Sequence, residues 1–373
     1  MDALTTPSNW QRVRLGDIGK PCMCKRVMKH QTTRYGEIPF YKIGTFGNTA
    51  DAFISKKLFL EYKTKYSFPK KGDILISASG TIGRAVIYDG KPAYFQDSNI
   101  VWIDNDETLV KNDFLFYAYS NVKWDTEHTT ILRLYNDNFR NTLIPLPPLN
   151  EQIAIANILS ALDRYLYSLD ALILKKESVK KALSFELLSQ RKRLKGFNQA
   201  WQRVRLGDIA NYLTSNLSAE QITQQGKIKV YDVNNFIGYT NTTFISDKPY
   251  ISIVKDGSVG RVRILPPKTN ILSTMGALIA NHKTTTEFLF YLLSNFDFKN
   301  FTSGSIIPHI YFKDYKEKTI FLPPLNEQIA IANILSTLDH EIISLKNKKR
   351  QFDNIKKALN HDLMSAKIRV LKK

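Results

Sequence analysis

Residues 146–163 read LPPLNEQIAIANILSALD and residues 322–339 read LPPLNEQIAIANILSTLD, identical at seventeen of eighteen positions and offset by 176. The single exchange is Ala161 against Thr337. A second pair stands upstream of each: WQRVRLGDI at residues 10–18 returns unchanged at 201–209, offset by 191. Between these constant phrases lie residues 19–145 and 210–321, which differ in wording and, by 15 residues, in length. A unit of this size is no solenoid repeat; it is a duplicated module of domain plus helix. Two variable blocks on one constant frame suit recognition of two different things at a fixed distance.

The constant phrases open long helices. Pro147-Pro148 and Pro323-Pro324 cannot continue a helix from upstream. Asn150 and Asn326 are therefore expected as N-caps, with Glu151 and Glu327 in the first turn, where the helix dipole favours an anion. Beyond them Ile155, Leu159, Leu162, Leu166, Leu169, Ile173, Lys176, Lys180, Leu183 and Leu187 fall at alternating spacings of four and three. Ile331, Leu335, Leu338, Ile342, Leu345, Lys349, Phe352, Lys356, Leu359 and Leu363 repeat those spacings. This is a heptad seam, and no Pro or Gly interrupts 151–195 or 327–373. Forty such residues make a rod of roughly 60 Å at about 1.5 Å rise each. The apolar stripe of one copy is expected to pack against the other. Antiparallel packing is favoured over parallel, because parallel helices would crowd two similar domains together. Lys176, Lys180, Lys349 and Lys356 interrupt the seam. They are expected at splayed sections, as snorkelling stems, or where acidic groups of another subunit arrive.

The variable blocks read as mixed α+β. Strands at 74–77 and 85–88 flank a turn, Gly80-Thr81-Ile82-Gly83-Arg84, and strands at 250–254 and 262–265 flank Gly257-Ser258-Val259-Gly260-Arg261. NDFLFYAYSN at 112–121 and TEFLFYLLSN at 286–295 are expected as short capped helices. Each block ends on a matched aromatic pair, Tyr135 with Phe139 and Tyr311 with Tyr315, expected as packing residues. The blocks therefore share a fold while most of their surfaces differ.

Chemistry points away from catalysis. There is no Walker sequence, no dinucleotide-binding glycine spacing, no nucleophile elbow and no metal-ligand spacing among the six histidines. No cofactor and no metal are expected. Cys22 and Cys24 are the only cysteines, too close to bridge comfortably, and are read as reduced thiols. The start, MDALTTPSNW, lacks the charged-then-apolar order of an export signal, and no apolar run is long enough to span a bilayer; a cytoplasmic protein is expected. Net charge is +19, which favours a polyanionic partner through phosphate neutralisation. The helix ends are basic too: 175–195 carries eight Lys/Arg against two acids, and 346–373 ten against two. A solvated face and a docking or backbone-tracking role both fit.

The glycine turns carry two readings. Backbone N–H groups, a hydroxyl (Thr81, Ser258) and an arginine (Arg84, Arg261) could hold a phosphate or reach a guanine edge. Equally, the glycines could serve positive φ with the arginines merely solvated. Because both copies share the turn, it cannot by itself separate two targets. Selective contacts are expected where the copies disagree, with Lys25, Arg26, Lys29 and Arg34 in one block and Asn216, Asn234, Asn235 and Asn241 in the other as candidates.

Taken whole, the order resembles the specificity subunit of a type I restriction–modification system. The resemblance rests on the opening Trp-x-x-Val-x-Leu-x-Asp-Ile, a variable block, and Pro-Pro-Leu-x-Glu-Gln at 147–152, all three again ending at 323–328. It implies a non-catalytic chain with two target recognition domains, each binding one half of a bipartite double-stranded DNA sequence. It also implies an antiparallel coiled coil, pseudo-two-fold in symmetry, that spaces the domains and docks adenine methyltransferase subunits, with restriction/translocase subunits joining and no membrane involved. The implied boundaries are 1–149 and 196–325 for the stubs with their recognition domains, and 150–195 and 326–373 for the helices. Partner docking is expected at Asn150, Glu151, Gln152 and Ile153 and at Asn326, Glu327, Gln328 and Ile329. Ile153, Ala156 and Ile158, like Ile329, Ala332 and Ile334, add apolar surface outside the seam. A methyltransferase or nuclease fused to its reader, a coiled-coil scaffold, and a DNA-binding regulator acting without such partners are the alternatives.

Overall fold

The computed structural model describes residues 9–128 and 131–370. Of the opening segment MDALTTPSNW, residues 1–8 lie outside the described residues, as do Lys372 and Lys373 of the basic end. The described chain divides into two units, residues 1–169 with 348–373 and residues 170–347. Each unit thus holds one variable block, the first half of the helix that follows it, and the last half of the other long helix.

In the first unit the constant stub Gln11–Arg14 pairs antiparallel with Leu143–Leu146, the strand that runs into the double proline. A four-stranded antiparallel sheet follows in the order Gly19–Met23, Ile100–Asn105, Ile74–Ser77, Ala85–Ile87. A smaller sheet sets Ile38–Tyr41 between Ala52–Ile54 and Tyr94–Phe95, the latter parallel. The second unit repeats this. Gln202–Arg205 pairs with Thr319–Leu322, and Ala210–Thr214, Met275–Ala280, Tyr250–Val254 and Val262–Leu265 make the four-stranded sheet. Phe236–Thr240, Ile228–Tyr231 and Asn270–Ile271 make the smaller one. The expected strands and both short helices are present, the latter as Asn112–Tyr119 and Thr286–Ser294. Much of the difference in length has one source. A helix at Lys56–Lys65, capped by the Ser55 hydroxyl accepting the Leu58 N–H at 3.2 Å, has no counterpart among the described residues of the second block.

The long helices span Leu149–Leu188 and Leu325–Met364. Their first residues correct the expected caps. The Pro148 carbonyl already accepts the Glu151 and Gln152 N–H groups, and the Pro324 carbonyl those of Glu327 and Gln328. Asn150 and Asn326 therefore lie inside the first turn, their Oδ1 atoms accepting only the next N–H at 2.9 Å. Adjacent proline rings set φ ahead of the first turn, and a carbonyl caps where a side chain was expected to cap.

Within each unit the two helix segments run antiparallel. In the first, Arg369 reaches Glu151 near the start of the opposite helix, and Tyr165 packs on Phe352 at 4.7 Å between ring centres. In the second, Arg193 reaches Glu327 and Lys176 reaches Glu341 at 2.6 Å. Seam residues Ile155, Leu159, Leu166, Leu169 and Ile173 are buried, as are Ile331, Leu335, Ile342 and Leu363. Three of the lysines in the seam find acids on the facing helix of the same chain: Lys356 on Asp163, Lys180 on Asp339, Lys176 on Glu341. No second subunit is needed to neutralise these three.

The helix starts also join the cores. Ile155, Ala156 and Leu159 pack with Trp10, Phe114 and Ile144, and with Leu363 and Met364 from the far end of the other helix. Ile331, Ala332 and Leu335 do the same with Trp201, Phe288, Ile320 and Leu187. Ala156 and Ala332 correct the expectation of outward surface; at 4% and 3% exposure they belong to the internal core. Burial of this interface is what fixes each helix against its own variable block.

Candidate nucleic-acid interface

Two features recur in both units, one at the start of the long helix and one at the glycine turn. At the helix start, Glu151 and Glu327 are buried. Glu151 accepts the Trp10 indole N–H at 3.0 Å and a two-point bond from Arg369, at 2.6 and 2.9 Å. Glu327 accepts the Trp201 indole N–H at 2.9 Å and Arg193 at 3.2 and 2.6 Å. A buried carboxylate is tolerated only when charge and lone pairs are both matched, and the planar guanidinium does this best. Gln152 and Gln328 are equally enclosed: Gln152 donates to the Leu109 and Pro147 carbonyls and accepts the Lys111 N–H. Gln328 donates to the Lys283 and Pro323 carbonyls and accepts from Thr284 and Thr285.

The four Glu and Gln residues expected to meet a partner thus use their polar atoms inside their own unit. Of the expected docking residues, Asn150 with Ile153, and Asn326 with Ile329, lie outside, the isoleucines 46% and 49% exposed. Ile158 and Ile334 are half-buried. Further along the helix, Tyr117 donates to Asp163 at 2.7 Å and Tyr291 to Asp339 at 2.9 Å, the same carboxylates that meet Lys356 and Lys180. Burial, and then the bond to aspartate, raises both phenol pKa values above the ordinary range.

At the turn, the strand pair 74–77 and 85–87 is closed by Gly80 to Arg84, and its counterpart by Gly257 to Arg261. Gly83 and Gly260 both have positive φ, and a Cβ there would lie 2.1 Å from Trp124 or 2.5 Å from Phe298. An aromatic lid under the turn thus demands glycine at both. Thr81 and Ser258 stand exposed at the tips. Arg84 donates to the Phe46 carbonyl at 3.0 Å, and Arg261 to Asn234 Oδ1 at 2.8 Å. Each turn is thereby tied to the loop that follows the middle strand of the smaller sheet.

A short segment completes this edge. Gly80 N–H donates to the Leu132 carbonyl and Leu134 N–H to Ala78; Gly257 N–H donates to Pro308 and Ile310 N–H to Lys255. Isolated bridges result, Ser79 with Arg133 and Asp256 with His309. Alternate residues of the segment face opposite sides. Leu134 and Ile310 are buried, whereas Tyr135 and Tyr311 are 40% and 50% exposed. Of the two expected packing pairs, only Phe139 and Tyr315 pack; the first tyrosine of each lies outside. Two strand residues are too few for alternation to be visible in sequence.

The remaining candidates fall into groups. Arg26 bonds Asp97 at 3.0 Å, and the neighbouring Gln96 accepts the Ile43 N–H of the loop that carries Phe46. Lys25 lies over Tyr66 and Arg34 over Tyr35, both exposed, as is Lys29. In the second unit Asp232 Oδ1 accepts the N–H groups of Asn234 and Asn235, bringing them beside Arg261. Asn241 accepts the Lys227 N–H, and Asn216 lines an open cleft of about 340 Å³ with Gln221, Thr242 and Asn270; these two are not joined to the turn by any of these bonds. Sequence reasoning missed Arg133 and His309, and it missed Trp10 and Trp201, although Trp and Glu recur together in the two constant phrases.

Among the described residues no cluster of His, Cys, Asp or Glu could hold a metal ion, and no helix is long and apolar enough to cross a membrane. Cys22 and Cys24 are free, and burial pushes the Cys24 thiol up to about 12.

The type I restriction modification DNA specificity domain matches the chain twice, at residues 7–176 and 198–352. A putative type I restriction enzyme specificity subunit of Haemophilus influenzae is 64% identical over 148 residues, covering 39% of this chain and 38% of that protein. The putative MjaX specificity subunit of Methanocaldococcus jannaschii is 30% identical, with 98% of this chain and 95% of that one aligned. The fold is that of a solved type I restriction–modification S subunit from M. genitalium, with a TM-score of 0.65, 20% identity, and coverage of 98% of this chain and 99% of that one. Duplicated frame, matched turn and near full-length likeness converge: the chain belongs to the type I restriction–modification DNA specificity family, as a specificity subunit whose task is DNA sequence recognition.

Proposed function

We propose that each variable domain reads one half of a bipartite duplex sequence, residues 1–149 and 196–325 being the two recognition modules. The long helical regions 150–195 and 326–373 set the gap between half-sites and dock adenine methyltransferase subunits; restriction/translocase subunits join that complex. The chain itself performs no chemistry. It takes no cofactor, and it acts in the cytoplasm on DNA. One observation carries this reading: the same backbone edge, closed by the same glycine turn, presents different side chains in the two units. A shared frame supplies position, and the differing side chains supply selectivity. Exposed Lys25, Arg26, Lys29 and Arg34 in one domain, and Asn216, Asn234, Asn235 and Asn241 in the other, are the proposed contacts away from the turn. Thr81, Arg84, Ser258 and Arg261 are the shared positioning contacts. Asn150 with Ile153, and Asn326 with Ile329, are the outward part of the docking face, next to the buried Glu and Gln pairs that hold it in place.

The test exchanges residues 210–321 for the block of another family member and sequences the methylome of cells carrying the complete system. One half of the methylated motif should change and the other half should persist. A change in both halves, or in neither, refutes the modular reading.

A further inference from the structure

Position by position, the glycine-turn edge of one unit can be laid on that of the other. Ser79 precedes Gly80 and bridges Arg133; Asp256 precedes Gly257 and bridges His309. The following residue is buried in both, Leu134 and Ile310, and the next is an outward tyrosine in both, Tyr135 and Tyr311. Alternation along the segment therefore turns Arg133 and His309 to the same side as those tyrosines. Backbone, turn and tyrosine are shared, so none of them can tell one half-site from the other. The bridged pair is what differs.

The two pairs also differ in hydrogen-bonding character. Ser79 is buried and donates its hydroxyl to Asn99 Oδ1 at 2.7 Å, which leaves the exposed Arg133 guanidinium to its own geometry. A planar fork of donors fits the O6 and N7 acceptors of guanine. In the other unit Asp256 lies 2.6 Å from His309 Nδ1. A carboxylate accepts, so Nδ1 carries the proton of this bond, and in the tautomer that bears only that proton Nε2 is left as an acceptor. Such a group suits the exocyclic amino group of adenine or cytosine in the major groove. Tyr311 lies nearly parallel to the imidazole, at 20° and 6.5 Å between ring centres.

We propose that these matched pairs are base-reading elements: Arg133, with Ser79 kept out of its way, selects guanine in one half-site, and Asp256-oriented His309 selects an amino-bearing base in the other. This rests on the half-site reading above and names the residues that would carry part of it. Exchange of His309 alone is insufficient, because an arginine there would be captured by the Asp256 carboxylate. The informative variant is Asp256→Ser with His309→Arg, which copies the first unit's pair onto the second unit's frame.

In cells carrying the complete system, methylome sequencing of that double variant should show one base pair of one half-motif changed to a guanine requirement, with the other half intact. Retained methylation of an unaltered motif overturns the assignment. Should the double variant abolish methylation, His309→Ala in the complete complex is measured by competition binding against duplexes altered at each half-site position in turn. The expected result is loss of about tenfold to a hundredfold discrimination at one base pair. Full discrimination at every position overturns the proposal. The 210–321 block exchange run in parallel separates the two levels. A half-motif that changes with the block and ignores the pair refutes only the pair, whereas a motif indifferent to the block refutes the half-site reading itself.

Discussion

At the start of the long helix the two units meet in the same atoms; at the glycine turn they meet in the same backbone and part in their side chains. Trp10, Glu151 and Arg369 reappear as Trp201, Glu327 and Arg193, whereas Ser79 and Arg133 reappear as Asp256 and His309. The difference teaches where each kind of constraint lives. A buried carboxylate with a matched guanidinium tolerates little change, because removing either partner strands a charge. A partly exposed bridge tolerates exchange, since main-chain hydrogen bonds hold this edge whatever side chains it carries. Duplication has kept the first and varied the second.

The largest expected effect breaks the helix start. Glu327→Ala removes the acceptor for Trp201 and Arg193 and should cost about 3 kcal/mol of stability, the low end for breaking a buried pair because Arg193 is partly solvated. Glu151→Ala should cost a similar amount through Trp10 and Arg369. Glu327→Gln, which keeps an acceptor for the indole N–H without the charge, should lose less. Urea unfolding of the full chain, followed through tryptophan fluorescence, measures all three. A clear cost in one unit with none in the other would end the equivalence of the two Trp–Glu–Arg clusters.

Much of this was open to sequence reasoning, and the rest was hidden for identifiable reasons. The heptad seam and the strands flanking the glycine turns were legible because period and punctuation are local signals. The acids that meet Lys176, Lys180 and Lys356 were not, because antiparallel register between segments some 160 to 190 residues apart leaves no trace in spacing. The Trp–Glu–Arg cluster was half legible. Trp10 and Glu151 recur together in the constant phrases, but Arg369 and Arg193 lie in stretches that differ between copies and only the fold brings them in. Asn150 and Asn326 matched a capping residue type, yet the double proline moved the cap to a carbonyl. The helix at Lys56–Lys65 was missed because its face is short and lysine-rich, with Phe59 its one buried side chain.

A smaller effect should follow from the lysine–aspartate–tyrosine trios. Lys356→Ala and Lys180→Ala each remove one charge from a half-buried pair; solvent screens it, so about 1 kcal/mol is expected. Their tyrosines add a pH dependence of defined sign. Tyr117 and Tyr291 hold their protons more tightly when folded than the unfolded phenol, which ionises near about 10. Their contribution is therefore complete below about pH 10 and is lost as the pH rises beyond it. Tyr117→Phe with Tyr291→Phe should flatten that alkaline fall in the urea midpoint. An unchanged fall would assign it to other buried tyrosines such as Tyr88 and Tyr250, both pushed to about 12 by burial.

The smallest effect belongs to the shared turn, and it sharpens the comparison from the other side. Arg84 and Arg261 occupy one position, yet Arg84 donates to a backbone carbonyl and Arg261 to the Asn234 side chain. If both then touch phosphate, each should contribute about 0.9 to the log–log slope of affinity against salt. Arg84→Ala and Arg261→Ala, measured in the complete complex by titrating salt against a fixed duplex, should each lower that slope by about one, with sequence preference unchanged. Over a fourfold change in salt, one contact amounts to only about a threefold change in affinity. A shift in preference at one base pair on Arg261→Ala alone would instead make the Arg261–Asn234 pair a reader, because the second unit has a side chain where the first has only backbone. No change in slope for either would return the arginines to the task their hydrogen bonds already perform, fastening the turn to the smaller sheet.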